Sequence, residues 1–210
     1  MRSLGHLVDH FGIGAWLCMA SMLLVGCSTL NPVKSTNMNT YALEAQFEPV
    51  VADRGKLTML VNTPIARPGF DSPNMIYIEK PHELAYFTQN KWVDSPARML
   101  APLLVQALEH STKYRAVIPM RSTAAADLRL DTEIIRLQHE FLTRPSQIRL
   151  TVRAQLLDVQ HKRVLTTREF DVIEVAPSDD PYGGVIAAQR AVKTVLLQIA
   201  DFCASASAEH

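Results

Sequence analysis

Residues with the types and spacing that catalysis requires are scarce in this sequence. The string HELAY at His82 begins like a zinc-protease helix, but the place of the second ligating histidine is held by Tyr86. The string HEF at His139 fails in the same way, and no G-x-S-x-G nucleophile elbow or lysine-containing phosphate loop is present. The sequence therefore predicts no catalytic residue, no metal site and no bound cofactor. A hydrolase with an unfamiliar site stays as an alternative.

One cysteine does lie in a pattern with a chemical meaning. Cys27 follows an uncharged apolar block at residues 11–26, FGIGAWLCMASMLLVG. At sixteen residues the block is short for a membrane-spanning helix, which needs about 20 residues, and only Lys34 follows it as a basic flank. The block is therefore typical of the hydrophobic region of a secretory signal peptide.

The four residues from Leu24 to Cys27, LVGC, resemble the lipobox of bacterial lipoproteins. In that family a diacylglyceryl group is added to the thiol, the chain is cleaved just before the cysteine, and the new amino group is acylated. Two or more acyl chains anchor a protein stably, each buried methylene contributing about 0.8 kcal/mol. Ser28 stands where aspartate favours inner-membrane retention, so the resemblance implies the outer membrane, facing the periplasm. The alternative is an ordinary signal peptide that ends at a lone cysteine.

The remaining cysteines and the charge balance narrow the possibilities further. Cys18 would leave with the leader and Cys27 would carry lipid, so Cys203 could form no internal disulfide. Cys203 falls in a helical apolar pattern, which predicts a buried core thiol. Twenty-one basic residues balance twenty-one acidic ones, so the net charge gives no reason to expect a nucleic acid partner.

The composition changes along the chain predict four segments. They are a lipoprotein signal peptide at 1–26, a lipidated N-terminus and flexible tether at 27–40, a folded domain at 41–205 and a disordered tail at 206–210. The tether is predicted because serine, threonine, asparagine and proline occur there without hydrophobic periodicity.

The folded domain is predicted to be α+β, with a mostly antiparallel sheet and two main helices packed on one face. Alternating apolar and polar residues in SQIRLTVRAQLLDVQ have the period of a strand, and two neighbouring runs predict at least three adjacent antiparallel strands. A strand is predicted at 57–62 and a hairpin around 80–83. Helical spacing predicts a first helix capped by Asp94 or Ser95 and a last helix through VIAAQRAVKTVLLQIADFCASA. Pro102 predicts a kink or a later start in the first helix.

Four residues of the domain are candidates for binding a partner. Phe70 follows a proline and a glycine in a turn-rich loop, and Trp92 ends a predicted strand. Trp92 is more simply a core aromatic, although exposed aromatics are enriched in interfaces. Arg149 and Arg153 fall on the outer side of a strand, as solvated charges or as contacts to an acidic partner.

The order of these elements resembles a known family. The pieces LTMLVNTP, RPGF, MIYIE and ELAYFTQNKWVDSPARMLAPLLVQALEHS, followed by ADLRLDTEI, are similar to the ABC-type transport auxiliary lipoprotein component, the family of the paraquat-inducible lipoprotein subunit. The resemblance spans about residues 41–202. It implies a domain without catalytic residues that accompanies a membrane permease, an ATPase and a periplasmic protein with MCE domains. Such systems are associated with moving lipids or other hydrophobic molecules.

The sequence thus supports a non-enzymatic lipoprotein that docks an MCE-type partner at the periplasmic face of the outer membrane. A tethered domain of this kind gains effective concentration for a partner within its reach. The alternative is a stand-alone lipoprotein that binds a lipid or apolar ligand between its helices and its sheet. A homo-oligomer is possible under either hypothesis.

Overall fold

Nine strands and two helices form the part of the chain that the computed structural model describes, residues 37–48 and 54–208. The folded unit begins at Met38. Its helices are α1 (Pro96–His110) and α2 (Pro181–Ala208), and its strands are β1 (Asn39–Tyr41), β2 (Thr58–Val61), β3 (Ile65–Ala66), β4 (Asn74–Ile78), β5 (Ala85–Trp92), β6 (Ala116–Pro119), β7 (Leu128–Glu140), β8 (Gln147–Asp158) and β9 (Arg163–Val175).

Strand β7 is the centre of the sheet because it pairs along both edges. One edge pairs antiparallel with β8 over the whole length of β7, from Leu128 opposite Asp158 to Glu140 opposite Gln147. The other edge pairs in succession with the shorter strands β2, β3 and β4. Strands β5 and β1 continue the sheet beyond β4, β6 continues it beyond β2, and β9 continues it beyond β8.

The sheet is mixed, which corrects the prediction of a mostly antiparallel sheet, while the α+β class and the two main helices are confirmed. Five of the described pairings are parallel, namely β1–β5, β2–β6, β2–β7, β3–β7 and β4–β7. The antiparallel pairings are β4–β5, β7–β8 and β8–β9. The prediction was wrong because alternation identifies a strand and its buried face but not the direction of its neighbour.

The locally determined elements agree with the sequence. The predicted hairpin is β4–β5, the strand predicted at 57–62 is β2, and the three long alternating runs form the antiparallel meander β7–β8–β9. Each strand of the hairpin and of the meander pairs with a strand that is adjacent to it in the chain, so hydrophobic period and turn residues are sufficient to predict the pairing.

Helix α1 begins where the sequence predicts, in spite of its internal proline. Pro96 occupies the first turn, where the lost N–H would have had no helical partner. The Asp94 carboxylate accepts a hydrogen bond from the Ser95 N–H at 2.7 Å and forms an ion pair with Arg98, whose Nε lies 3.0 Å away. Pro102 lies inside the helix, which therefore does not start later.

Both helices contribute to one apolar core with the inner face of the sheet. Strand residues of this core are almost fully buried, among them Leu130, Ile134, Leu150 and Leu156 at 0% exposure. Helix α2 places four alanines in the same cluster: Ala187, Ala188, Ala191 and Ala200. Their short side chains allow the helix axis to approach the sheet closely, so that larger side chains interdigitate around them.

The ends of the described domain differ slightly from the predicted boundaries. Strand β1 begins at Asn39, inside the segment predicted as tether. Helix α2 continues to Ala208, three residues past the predicted domain end at 205 and into the segment predicted as disordered. The helical spacing of the sequence fades there because Ala204 to Ala208 are small residues without an apolar stripe.

A substitution at Gly184 tests how tightly α2 packs on the sheet. An added Cβ would lie 2.5 Å from Nδ1 and 2.9 Å from Cε1 of His139, whose ring is 1% exposed. Helix propensity alone favours Gly184→Ala by about 0.5–1 kcal/mol, but overpacking costs about 1–3 kcal/mol. We therefore expect a net loss of about 1–2 kcal/mol in urea unfolding, compared with at most about 0.5 kcal/mol for the exposed Lys193→Ala. A stabilised Gly184→Ala variant would contradict this packing.

Candidate functional site

The predicted lipidation residue, Cys27, lies outside the described residues, as do the signal peptide and most of the tether. Among the described helices, none combines the length and hydropathy that crossing a membrane requires. Lipidation at Cys27 therefore stays a prediction from sequence.

Phe70 ends a tight turn that the sequence builds from a proline and a glycine. The Phe70 N–H donates to the Arg67 carbonyl oxygen at 2.9 Å, with Pro68 and Gly69 as the central residues. Gly69 has a φ of 92°, a left-handed conformation that glycine adopts without strain. A type II β-turn, which favours proline at its first central position, requires this conformation at its second. The turn holds the Phe70 ring half-buried in the loop between β3 and β4.

Trp92 lies in the core and not on a surface. Its side chain belongs to the main apolar cluster and is 3% exposed. The backbone N–H of Trp92 donates to the Pro73 carbonyl oxygen at 2.8 Å. The position matches the simpler of the two sequence interpretations, a core aromatic at a strand end.

Arg149 and Arg153 lie on the face of the sheet opposite the helices, and both have carboxylate partners in the chain. Arg149 makes a bidentate pair with Asp171 on β9, with Nε at 3.0 Å and Nη2 at 2.6 Å. The hydroxyl of Thr151 also donates to that carboxylate. The hydrogen bonds from Arg149 and Thr151 lower the pKa of Asp171, and the same pair raises the pKa of Arg149.

The second arginine bridges two strands. Arg153 Nη1 lies 3.2 Å from Glu133 on β7, and its Nη2 lies 3.4 Å from Glu169 on β9. Arg67, three residues before Phe70, also pairs with Glu133 at 3.2 Å. We call the set of Arg67, Glu133, Arg149, Arg153, Glu169 and Asp171 the outer-face ladder. The structure thus places both predicted arginines on one face of the sheet, in two separate groups of ion pairs, and the loop of Phe70 joins the group of Arg153 through Arg67 and Glu133. Trp92 belongs to neither group.

A cluster of aromatic rings, which sequence reasoning missed, lies at one end of the inner face. Tyr77 and Phe87 are 4.5 Å apart between ring centroids, and Phe141 lies edge-on to both at 6.1 and 6.5 Å. His139 packs against Phe141 at 4.2 Å. The signal was present as aromatic residues at the ends of three apolar strands, MIYIE, AYFT and HEF, but only the strand register brings them together.

His139 connects this cluster to helix α2. Its Nε2 lies 2.9 Å from the Ser146 hydroxyl, whereas its buried Nδ1 faces Gly184 and has no hydrogen-bond partner in the described part of the chain. Burial lowers the pKa of His139 to about 4, although the carboxylates of Asp179 and Asp180 act in the opposite direction. The imidazole is therefore neutral near pH 7.

Two further side chains with ionisable groups, Cys203 and Tyr114, are buried in the core. Cys203 is 0% exposed, which confirms the predicted buried thiol, and burial raises its pKa to about 12. The Tyr114 hydroxyl lies 3.3 Å from the Ser207 hydroxyl, and burial raises its pKa above the ordinary value. In residues 37–48 and 54–208, no group of three or more His, Cys, Asp or Glu side chains is arranged to hold a metal ion.

The space between helices and sheet bears on the apolar-ligand alternative. Core side chains contributed by both helices and the strands are at most 8% exposed, so this layer is packed. A surface groove of about 1060 Å³ does run between β9 and α2, but charged and polar side chains such as Arg163, Arg168 and Asp201 line it together with Phe202. Ligand sites for apolar molecules are lined mostly by apolar side chains, so neither feature favours a stand-alone lipid carrier.

The fold is an α+β domain in which a mixed sheet carries two helices on one face and a charged ladder on the other. The chain belongs to the ABC-type transport auxiliary lipoprotein component family, whose model matches residues 41–200. No curated protein matches the sequence.

Two solved structures have a similar fold. Protein XCC0632 from Xanthomonas campestris, a DUF330 protein, is 23% identical with a TM-score of 0.73, covering 81% of this chain and 98% of its own. The crystal structure of an uncharacterized protein is 11% identical with a TM-score of 0.63, covering 79% of this chain and 97% of its own. At these identities the similarity shows the fold alone.

The neutral state of His139 predicts a pH-dependent stability. The unfolded imidazole titrates near 6.5, whereas the folded pKa is about 4, so the unfolded chain binds more protons between these values. Stability should fall as the pH drops from about 6.5 toward 4, by up to about 3 kcal/mol. We expect urea unfolding to show this loss between pH 7 and pH 4.5. His139→Gln should lose less over the same interval, and equal losses in both proteins would refute the assignment.

Proposed function

We propose that this chain is a non-enzymatic lipoprotein subunit of an ABC/MCE-type envelope transport system that moves lipids or other hydrophobic molecules. The observation that carries the proposal is the family match, because residues 41–200 include nearly all of the described strands and helices. The partners would be the permease, the ATPase and the MCE-domain protein of the same system.

Lipidation of Cys27 would determine where in the cell envelope the domain is held. The LVGC string at residues 24–27 supports a diacylglyceryl group on the Cys27 thiol and an acyl group on its amino nitrogen. Several acyl chains hold a protein on a membrane stably, and Ser28 supports the periplasmic face of the outer membrane. A domain held there meets a membrane-bound partner at a raised effective concentration without any increase in contact area.

The outer-face ladder is the surface we assign to partner docking. It faces away from the helices, and the loop of Phe70 joins it through Arg67. Its arginines already have carboxylates within 3.4 Å, so an acidic partner would have to compete with those internal pairs. The ladder therefore fits a surface of mixed polarity, whose charges alternate as its own do, better than a purely acidic one.

Substitution of Cys27 tests the anchor. We expect Cys27→Ala to abolish lipidation and lipoprotein cleavage, so that the leader stays uncleaved or is cleaved elsewhere, and any chain that loses the leader moves from the membrane fraction to the soluble fraction. Fractionation, together with mass spectrometry of the N-terminal peptide, measures both effects. Cys203→Ala removes a buried thiol far along the sequence from the leader and should leave membrane attachment unchanged. Unchanged attachment in the Cys27→Ala protein would overturn the anchor.

Affinity purification from membranes tests the partner assignment. The tagged chain should recover MCE-domain, permease or ATPase subunits of one system. Arg153→Glu, which introduces repulsion against Glu133 and Glu169, should reduce that recovery several-fold. Lys193→Glu changes an exposed charge on α2, on the opposite side of the sheet, and serves as the matched control. Recovery of no such subunit by the unaltered chain would count against the proposed function, and equal recovery by both variants would count against the docking surface alone.

A further inference from the structure

The aromatic rings at the end of the inner face border a cleft of about 320 Å³. We call it the aromatic cleft and define it by six of its lining residues: Tyr77, Glu79, Phe87, Phe141, Asp179 and Asp180. Three strand-borne or loop-borne rings form one wall, and the residues just before helix α2 form another. All three rings are half-buried, so part of their surface remains open to a ligand.

The charged groups of the cleft are all acidic. Asp179 accepts a hydrogen bond from the Ser146 N–H at 2.7 Å, and Asp180 accepts one from the Gly183 N–H at 2.8 Å. These bonds hold the pKa of both carboxyls below the ordinary value, so both are ionised near pH 7. Among the described residues that line the cleft, none is a lysine or an arginine. The guanidinium of Arg144 lies 3.7 Å from Asp179 on a side chain that is 87% exposed, and its charge contributes to the lowered pKa of Asp179, so it compensates part of that carboxylate's negative charge.

A second aromatic cluster in the same domain is packed against a cation from the chain itself. Phe170 and Phe202 pack edge to face, and the Arg168 guanidinium lies 5.9 and 5.6 Å from their ring centroids. Within the described residues, no side-chain cation lies over the rings of Tyr77, Phe87 or Phe141. The imidazole of His139, which is neutral near pH 7, packs against the Phe141 ring at 4.2 Å between ring centroids.

We propose that the aromatic cleft binds an organic ammonium group, the cation carried by choline, by ethanolamine and by lipids that have these head groups. Aromatic faces attract a cation that has an apolar shell, and the attraction grows when the ring is partly desolvated. The carboxylates of Glu79, Asp179 and Asp180 carry three negative charges, which outweigh the exposed guanidinium of Arg144 together with the roughly half positive charge of the α2 N-terminus. The site does not depend on the proposed transport role, so the two can fail independently.

A neutral analogue of choline separates this proposal from simple apolar binding. Choline and 3,3-dimethylbutan-1-ol have nearly the same shape, but only choline is charged. We expect choline to bind the purified full chain, in a non-ionic detergent, at least about fivefold more tightly than the alcohol, by calorimetry or by shifts of the aromatic NMR signals. Added salt should weaken choline binding. Equal binding of the two compounds, or no saturable binding of choline, would overturn the proposal.

Substitutions locate the binding to the cleft. Phe87→Leu keeps an apolar side chain but removes the π face, and should reduce choline affinity at least about fivefold, whereas Phe87→Tyr should retain it. Tyr182→Leu removes a 60% exposed ring that does not line the cleft, and should leave the affinity unchanged. Glu79→Gln should weaken binding about twofold through the lost charge. If Phe87→Leu does not fold by circular dichroism, the comparison of choline with the alcohol still decides.

Vesicles distinguish a free ligand from a lipid head group. The Cys27→Ala chain is purified after cleavage of its leader, so that it has neither an acyl chain nor the apolar block at residues 11–26, and is floated with vesicles of phosphatidylcholine or of phosphatidylglycerol. Retention on the first alone supports an ammonium head group, and binding of free choline without retention supports a small soluble ligand. Equal retention on both kinds of vesicle, together with no choline binding, would refute an ammonium site.

Discussion

The pairing of strand β7 along both edges is the constraint on which the rest of the structure depends. Its inner residues Leu130, Ile134 and Leu137 face the helices, and its outer residue Glu133 belongs to the ladder. The bulge between Ile134 and Arg136 keeps this arrangement, because it brings Leu137 opposite Leu150 after Ile134 opposite Val152. Without the extra residue, everything after Ile134 would point to the wrong face.

The same strand separates two kinds of surface with different energetics. The inner face is stabilised by apolar burial, and removing a buried leucine from such a core typically costs 2–5 kcal/mol. The side chains of the outer-face pairs are between 26% and 47% exposed, and exposed pairs are worth at most about 1 kcal/mol each. The ladder therefore contributes little to stability. It keeps an open sheet face polar, and it leaves that face available for contact with another molecule.

The sequence predicted the elements that follow from local patterns, but it did not predict the direction in which strands distant in sequence pair. The helices, the β4–β5 hairpin and the β7–β9 meander followed from period and turn residues. The parallel pairing of β2 did not, although Thr58, Met59 and Val61 are buried without alternation, a feature of strands covered on both faces. The aromatic cleft was missed for the same reason: Tyr77, placed opposite His139 by parallel pairing, is 62 positions away from it in sequence.

The charge of the aromatic cleft is a consequence of how α2 packs. Gly184 lets the helix start against the His139 ring, and that contact buries the imidazole so deeply that it stays neutral near pH 7. A charged imidazole there would compensate the neighbouring carboxylates of Asp179 and Asp180, whereas a neutral one leaves their negative charge to act on the cleft. The packing of α2 and the preference of the cleft for a cation are thus coupled through the His139 side chain. A change that loosens the packing of α2 would allow His139 to take up a proton, and the added positive charge would weaken the binding of a cation.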